Sequence, residues 1–167
     1  RVYFPVFKKG NEFKTEIQER SQENSTENNT DAIKQWKASG TVLLADDEPE
    51  VLEVAGDTLK EHGFNVIFAK DGKEAIEKFK ENPNEFVAVV LDLTMPEMDG
   101  YEVFNEMHRI NPRVPVVICS GFSEYDVSKK FVERKPTGFL RKPYAPLELI
   151  KFLKNTLESK KTVEDFK

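Results

Sequence analysis

Residues 86–93, FVAVVLDL, form an almost unbroken apolar run that contains one charged residue, Asp92. A strand with one face in water alternates apolar and polar side chains, whereas a continuous apolar run fits a strand that is covered on both faces. Burying a lone carboxylate costs several kcal/mol unless a partner compensates its charge. The run therefore predicts a doubly covered strand, and Asp92 either emerges into a site at the strand end or meets a cation there.

Similar runs recur along the chain, and helical patterns separate them. The predicted strands are residues 41–45, 64–69, 86–93, 114–120 and 137–142. Apolar residues at helical spacing follow the first strand at Val51, Ala55 and Leu59, and similar patterns follow the other four. Strands that alternate with helices and lack polar alternation are typical of a parallel sheet covered on two faces. The sequence therefore predicts an α/β fold with a five-stranded parallel sheet and five helices.

Polar residues with capping chemistry mark the starts of these helices. Pro49 stands in a first helical turn, where proline is accepted. A side-chain acceptor is followed three residues later by an acidic residue in three pairs: Asp71 with Glu74, Asp99 with Glu102, and Ser123 with Asp126. We interpret Asp99 as a helix cap and not as part of a site.

Charged and hydroxyl side chains stand where four of the predicted strands end, at Asp46 and Asp47, Asp92, Ser120 and Lys142. Parallel sheets bind ligands outside the carboxyl ends of their strands, so we expect these side chains to converge. Three carboxylates about 5 Å apart repel by roughly 3 kcal/mol per pair at an effective dielectric near 20. A hard divalent cation such as Mg²⁺ relieves this repulsion and also binds phosphoryl oxygens. The set predicts phosphoryl transfer to Asp92, with Ser120 and Lys142 holding the other phosphoryl oxygens.

Residues 1–39 differ in composition from the rest. Residues 2–7, VYFPVF, predict a short strand, and residues 8–31 are polar enough to predict a linker that serves as a tether. The predicted organisation is a remnant of a preceding domain plus linker at 1–39, a regular domain at 40–160, and a tail at 161–167. A net charge of −5 argues against nucleic acid as a partner. No apolar run approaches the length of a membrane span, and the single Cys119 indicates a reducing, cytoplasmic location.

Four blocks, LLADDE, VVLDLTMPEMDG, ICSG and FLRKPY, resemble in order the signatures of the response-regulator receiver domain. The resemblance covers residues 41 to about 158 and implies a flavodoxin-like fold with strand order 2-1-3-4-5. It implies that the chain takes a phosphoryl group from a phosphohistidine in a two-component phosphorelay. Asp92 would be the phosphoacceptor. Mg²⁺ would be bound by Asp47, by Asp92 and by the backbone carbonyl of Thr94, with Asp46 acting mainly through water.

The resemblance also implies a conformational switch. Ser120 would be the switch hydroxyl, Lys142 the phosphate-binding lysine, and Phe139 the aromatic switch residue, where many members of the family carry Tyr. The Lys142–Pro143 peptide bond is often cis in the family. Such a domain is a self-phosphorylating acceptor more than a conventional enzyme.

Two segments resemble hybrid sensor histidine kinases. VYFPVFKK is similar to the last strand of their ATP-binding domain, and CSGFSE is similar to receivers fused to kinases. The implied partner is the dimerisation and phosphotransfer domain of a histidine kinase, either in the parent chain or in a separate protein. Neither nucleic acid nor a membrane is an expected partner.

Other functions stay open at this point. A degenerate receiver would act only as a protein-interaction scaffold. A phosphatase with an aspartate nucleophile needs a second Asp two residues after the first, where this chain has Thr94. A flavin or dinucleotide carrier would have a glycine-rich phosphate loop after the first strand, which the sequence lacks there.

Overall fold

The computed structural model describes the backbone of residues 30–164 and the side chains of residues 30–159. The strands are β1 (Thr41–Ala45), β2 (Asn65–Ala69), β3 (Phe86–Asp92), β4 (Val116–Ser120) and β5 (Gly138–Arg141). The helices that alternate with them are α1 (Pro49–Glu61), α2 (Gly72–Glu81), α3 (Gly100–Ile110), α4 (Glu124–Ser128) and α5 (Pro146–Glu164). The strand predicted at residues 2–7 and the polar stretch at 8–29 lie outside the described residues.

The five strands form one parallel sheet in the order β2-β1-β3-β4-β5. This order confirms the flavodoxin-like, doubly wound fold. Leu43 of β1 stands in register with Ile67 of β2 and Val89 of β3, while Asp92 stands opposite Cys119 of β4. Because all five strands point the same way, their carboxyl ends lie along one edge of the sheet.

The three inner strands are buried on both faces, as their continuous apolar sequences predict. Every residue of β1 and β4 is buried, and β3 has only Val87 partly exposed, whereas β2 and β5 at the edges are mostly half-buried. Leu43, Leu91 and Phe104 belong to the core on the side of α2 and α3. Helices α1 and α5 contact each other and bring fully buried leucines such as Leu59. The resulting two-sided cover holds the strand ends in fixed positions.

The predicted capping residues begin their helices. The carboxylate of Asp71 accepts the backbone N–H of Glu74 at 2.7 Å, and Asp99 accepts the N–H groups of Tyr101 and Glu102. The Ser123 hydroxyl accepts the N–H of Asp126 at 3.2 Å. These hydrogen bonds satisfy N–H groups that have no partner inside the helix. Asp99 is therefore a cap, as the sequence predicts.

The compact unit begins earlier than the sequence predicts. Residues 30–35 are helical, and the compact unit that contains the sheet starts at Trp36, four residues before the expected boundary at residue 40. The Trp36 and Phe64 rings lie 6.0 Å apart, and the N–H of Ala38 donates to the carbonyl of His62 at 2.8 Å. The polar composition of residues 1–39 does not indicate these contacts, because they involve only the Trp36 ring and a backbone N–H group of that segment.

The other end also differs from the prediction, since α5 continues to Glu164 and includes part of the expected tail at 161–167. Strand β4 begins at Val116, two residues later than predicted, after Pro115, which has no N–H for the ladder. None of the helices in the described part of the chain combines the length and the apolar character needed to cross a bilayer.

Gly100, the first residue of α3, touches the end of β3 so closely that a larger residue should disturb the fold. A Cβ there would fall against the carbonyl oxygen of Asp92 and within 2.7 Å of the Leu93 Cα, and backbone cannot move aside easily. Gly100→Ala should therefore lower the free energy of unfolding by roughly 1–3 kcal/mol in urea denaturation. Gly121→Ala is the matched control, because a Cβ at Gly121 has nothing within 4 Å; it should change stability by less than about 0.5 kcal/mol. Equal effects of the two changes would contradict this account.

Candidate functional site

The polar residues predicted at the strand ends meet at one edge of the sheet. Asp46 directly follows β1, Asp92 and Ser120 are the last residues of β3 and β4, and Lys142 directly follows β5. Side chains at these positions come close because the strands are parallel and neighbouring in the order found. Asp46, Asp92 and Ser120 are almost completely buried.

Three carboxylates form an acidic cluster at this edge. One oxygen from each of Asp46, Asp47 and Asp92 lies within 4.8 Å of the others. Asp46 and Asp92 are buried, whereas Asp47 is exposed and forms the side of the cluster that faces water. Asp46 is held in place by the N–H of Glu48, which donates to its Oδ1 at 3.0 Å. The cluster therefore has two fixed members and one that solvent can reach.

The ammonium group of Lys142 is the positive charge of the site. Its Nζ lies 2.6 Å from Asp46 Oδ2, 3.2 Å from Glu48 Oε1 and 3.5 Å from Asp92 Oδ1. The first two contacts are hydrogen bonds, while the contact with Asp92 is a longer ion pair. The Lys142–Pro143 peptide bond that follows is cis. One ammonium group thus forms ion pairs with three carboxylates.

The surroundings of Asp92 favour its protonated form more than water does. Burial raises the pKa of Asp92 most, the attraction of Lys142 opposes this, and the nearby charge of Asp46 adds to the rise. A backbone hydrogen bond from Thr94 also stabilises the ionised form, but the net pKa is above the usual value. For Lys142, burial disfavours the charged form, yet the hydrogen bond with Asp46 and the attraction of Asp92 outweigh it and raise the pKa. The site therefore favours the charged form of Lys142.

The donor set fits a hard divalent cation. Carboxylate oxygens within a few ångströms of one another, with one carboxylate open to water, are the ligands that Mg²⁺ prefers, and Mg²⁺ usually keeps several water ligands. Thr94, whose carbonyl the sequence predicts as a further ligand, is an exposed residue two positions beyond Asp92.

The predicted switch residues lie on the neighbouring strands. The Ser120 hydroxyl is fully buried and accepts the N–H of Phe122 at 3.1 Å. Phe139 of β5 stands opposite Ile118 of β4 and packs, partly buried, against the core. Ser120 lies one residue past the position that pairs with Asp92, so it stands beside the acidic cluster. The two predicted switch residues are therefore on adjacent strands, β4 and β5.

Two features of the site are not among the sequence-based predictions. Glu48 hydrogen bonds with Lys142, although only its place after the acidic pair could have suggested a role. The Tyr144 hydroxyl and the Cys119 thiol hydrogen bond with each other, and burial raises the pKa of Cys119 to about 12 despite this bond. Cys119 is thus a buried residue whose surroundings favour the protonated thiol. His62 is buried in α1's C-terminal cap, with Nδ1 2.8 Å from the Thr58 carbonyl oxygen.

Comparisons with known proteins agree with this geometry. The family model of the response regulator receiver domain matches residues 42–154. Response regulator RR06 of Streptococcus pneumoniae is 32 % identical over 124 residues, which are 74 % of this chain and 56 % of RR06. Sensor kinase CckA of Brucella abortus is 34 % identical over 120 residues, 72 % of this chain and 13 % of CckA. The chain therefore spans about half of one relative and a small part of the other.

A solved structure supports the same conclusion. The CheX–CheY–BeF3–Mg²⁺ complex from Borrelia burgdorferi aligns with a TM-score of 0.66 at 25 % identity, over 70 % of this chain and 88 % of that chain. The fold, the converging carboxylates and lysine, and the matched family model agree. The chain belongs to the response regulator receiver family, and its residues 42–154 are a receiver domain of two-component signalling.

Proposed function

We propose that Asp92 accepts a phosphoryl group from a phosphohistidine in a reaction that requires Mg²⁺. The observation that supports this most is the position of the Asp92 carboxylate, which lies buried between two other aspartates and the Lys142 ammonium group. A carboxylate in such surroundings is held in place, is poorly hydrated and faces groups that can bind the other phosphoryl oxygens.

The transfer exchanges one bond to phosphorus for another. A carboxylate oxygen of Asp92 attacks the phosphorus atom, the phosphorus–nitrogen bond of the phosphohistidine breaks, and the electron pair leaves with the imidazole. Lys142 and the hydroxyl of Ser120 bind phosphoryl oxygens. Asp47, Asp92 and the carbonyl of Thr94 would hold Mg²⁺, with Asp46 acting through water. The cation would offset the negative charge that gathers on these oxygens.

We further propose that this event switches the conformation of the domain. When the Ser120 hydroxyl donates to a phosphoryl oxygen, its loop moves toward Asp92 and gives up the hydrogen bond from Phe122. The movement opens space for the half-buried ring of Phe139 to turn further into the core. Phe139 has no hydroxyl, so its two positions differ in packing alone.

The proposed donor is a histidine kinase phosphotransfer domain, in the parent chain or in a separate protein. The relative CckA is a sensor kinase, and residues 2–7 are similar in sequence to the end of a kinase ATP-binding domain. The parent would then be a hybrid kinase in which the polar stretch at residues 8–31 tethers the receiver. Phosphohistidines of this kind are made from ATP, so we place the reaction in the cytoplasm.

The first test is the site of modification. Incubation with acetyl phosphate and Mg²⁺ should add one phosphoryl group to the intact mass, because a small donor can reach the open side of the site. Asp92→Asn should abolish the adduct. Asp57→Asn, which removes an exposed carboxylate of α1, is the control and should keep it. An adduct that persists in Asp92→Asn would disprove the assignment, and no adduct on the wild type would favour the scaffold function.

The second test concerns the metal. Mg²⁺ should raise the melting temperature relative to EDTA, because it binds the folded acidic cluster and not the unfolded chain. The folded pKa of Asp92 lies above its usual value, so in EDTA the contribution of this group to stability falls as the pH rises through that pKa. Since the metal requires the ionised form, its stabilising effect should be larger at pH 7 than at pH 5.

Asp47→Asn should remove most of the metal effect at both pH values, while Asp57→Asn should leave it unchanged. Equal melting temperatures of the wild type in millimolar Mg²⁺ and in EDTA would show that the cluster binds no cation.

The third test concerns the switch. Beryllofluoride, a phosphoryl mimic, should shift the NMR signals of the Phe139 ring together with those of the Asp92 region. Ser120→Ala should bind the mimic but leave the Phe139 signals near their free positions, because the moving hydroxyl is missing. The Phe68 ring, on β2 at the opposite edge of the sheet from β5, provides an internal reference on the same molecule. Shifts at Asp92 without any at Phe139 in the wild type would exclude the coupling.

A further inference from the structure

We propose that Glu48 is a positioning residue that holds the Lys142 ammonium group in a resting place and so limits how readily the site binds a phosphoryl group. The inference rests on the proposed function of Asp92. It starts from the order of distances around the Lys142 Nζ, which is 2.6 Å from Asp46, 3.2 Å from Glu48 and 3.5 Å from Asp92. The carboxylate that would carry the phosphoryl group is the most distant of the three.

An ammonium group has three N–H donors, and two of them are in use. Asp46 and Glu48 accept hydrogen bonds from Lys142 at 2.6 and 3.2 Å, whereas the contact with Asp92 is longer, at 3.5 Å. A phosphoryl oxygen on Asp92 needs a donor from the same ammonium group. The third N–H donor can serve a phosphoryl oxygen, and the hydrogen bonds to Asp46 and Glu48 set where Lys142 holds it.

Burial decides which of the two hydrogen bonds from Lys142 is the weaker. The side chain of Asp46 is 3 % exposed, whereas that of Glu48 is 63 % exposed. Breaking the buried pair would leave an uncompensated charge inside the protein, while an exposed pair is weak and water readily replaces it. Asp46 is also fixed by the N–H of Glu48, so it cannot follow the lysine. The pair with Glu48 is therefore the one that Lys142 can loosen at the lower cost.

Glu48 also acts against the incoming group through its charge. Phosphorylation raises the negative charge on Asp92 from about one to nearly two, next to Lys142. Two anions would then compete for one cation. The expected role of Glu48 is to raise the free energy of the occupied site relative to the resting one.

The experiment compares Glu48→Gln with the wild type in the full chain. Beryllofluoride affinity is measured by titration calorimetry at saturating Mg²⁺, and Mg²⁺ affinity is measured separately without the mimic. Glu48→Gln should tighten beryllofluoride binding by roughly two- to fivefold, the range that one exposed ion pair supports. Mg²⁺ affinity should stay unchanged. Raising the salt concentration should narrow the difference between the two proteins, because salt screens the exposed pair.

Glu50→Gln is the matched control. Glu50 is also exposed and lies two residues further on in the first turn of α1. Among the described residues, the carboxylates within ion-pair distance of Lys142 are those of Asp46, Glu48 and Asp92. Glu50→Gln makes the same change of charge without that contact, and it should bind beryllofluoride like the wild type.

Three results would overturn the inference: no gain with Glu48→Gln, an equal gain with Glu50→Gln, or a change confined to Mg²⁺ affinity, which would assign Glu48 to the metal. Failure of the proposed function looks different. In that case the wild type itself would bind no beryllofluoride in the presence of Mg²⁺.

Discussion

The positive charge of Lys142 is what permits two carboxylates to lie buried at one edge of the sheet. Asp46 and Asp92 are both almost fully removed from water, and their mutual repulsion adds to the cost of burial. The ammonium group, 2.6 Å from one and 3.5 Å from the other, compensates part of this cost. The compensation is incomplete, since the pKa of Asp92 remains raised. Such a remaining imbalance is typical of functional sites, which violate the rules that stabilise the rest of a fold.

The parallel sheet itself brings the charged side chains of the site together at its edge. Five parallel strands end at one edge, and two layers of helices keep the strand ends from moving apart. The contact between Gly100 and the carbonyl of Asp92 joins the start of α3 directly to the end of β3. The rigid part of the site is therefore built on strands. The groups to which we assign movement, Glu48 and the loop after Ser120, stand where the chain leaves the sheet.

Much of the fold could be read from local patterns. Continuous apolar runs identified all five strands, and the capping residues Asp71, Asp99 and Ser123 identified helix starts, because both signals depend on neighbours in the chain. Long-range partners could not be read in this way. Trp36 packs against Phe64, and Glu48 hydrogen bonds with Lys142. Both partners are distant in sequence, so no local pattern identifies them.

The sequence by itself determined the class of fold and the identity of the groups at the sheet edge. The reason is that strand direction and strand ends follow from periodicity, and a parallel sheet brings strand ends together by geometry. Only the tertiary structure decided how close the Lys142 ammonium group lies to each carboxylate. Whether Lys142 lies nearer to Asp46, Glu48 or Asp92 depends on differences of less than 1 Å between the three distances. Burial sets the strength of each pair, and burial is a property of the packed molecule, not of any local stretch of the chain.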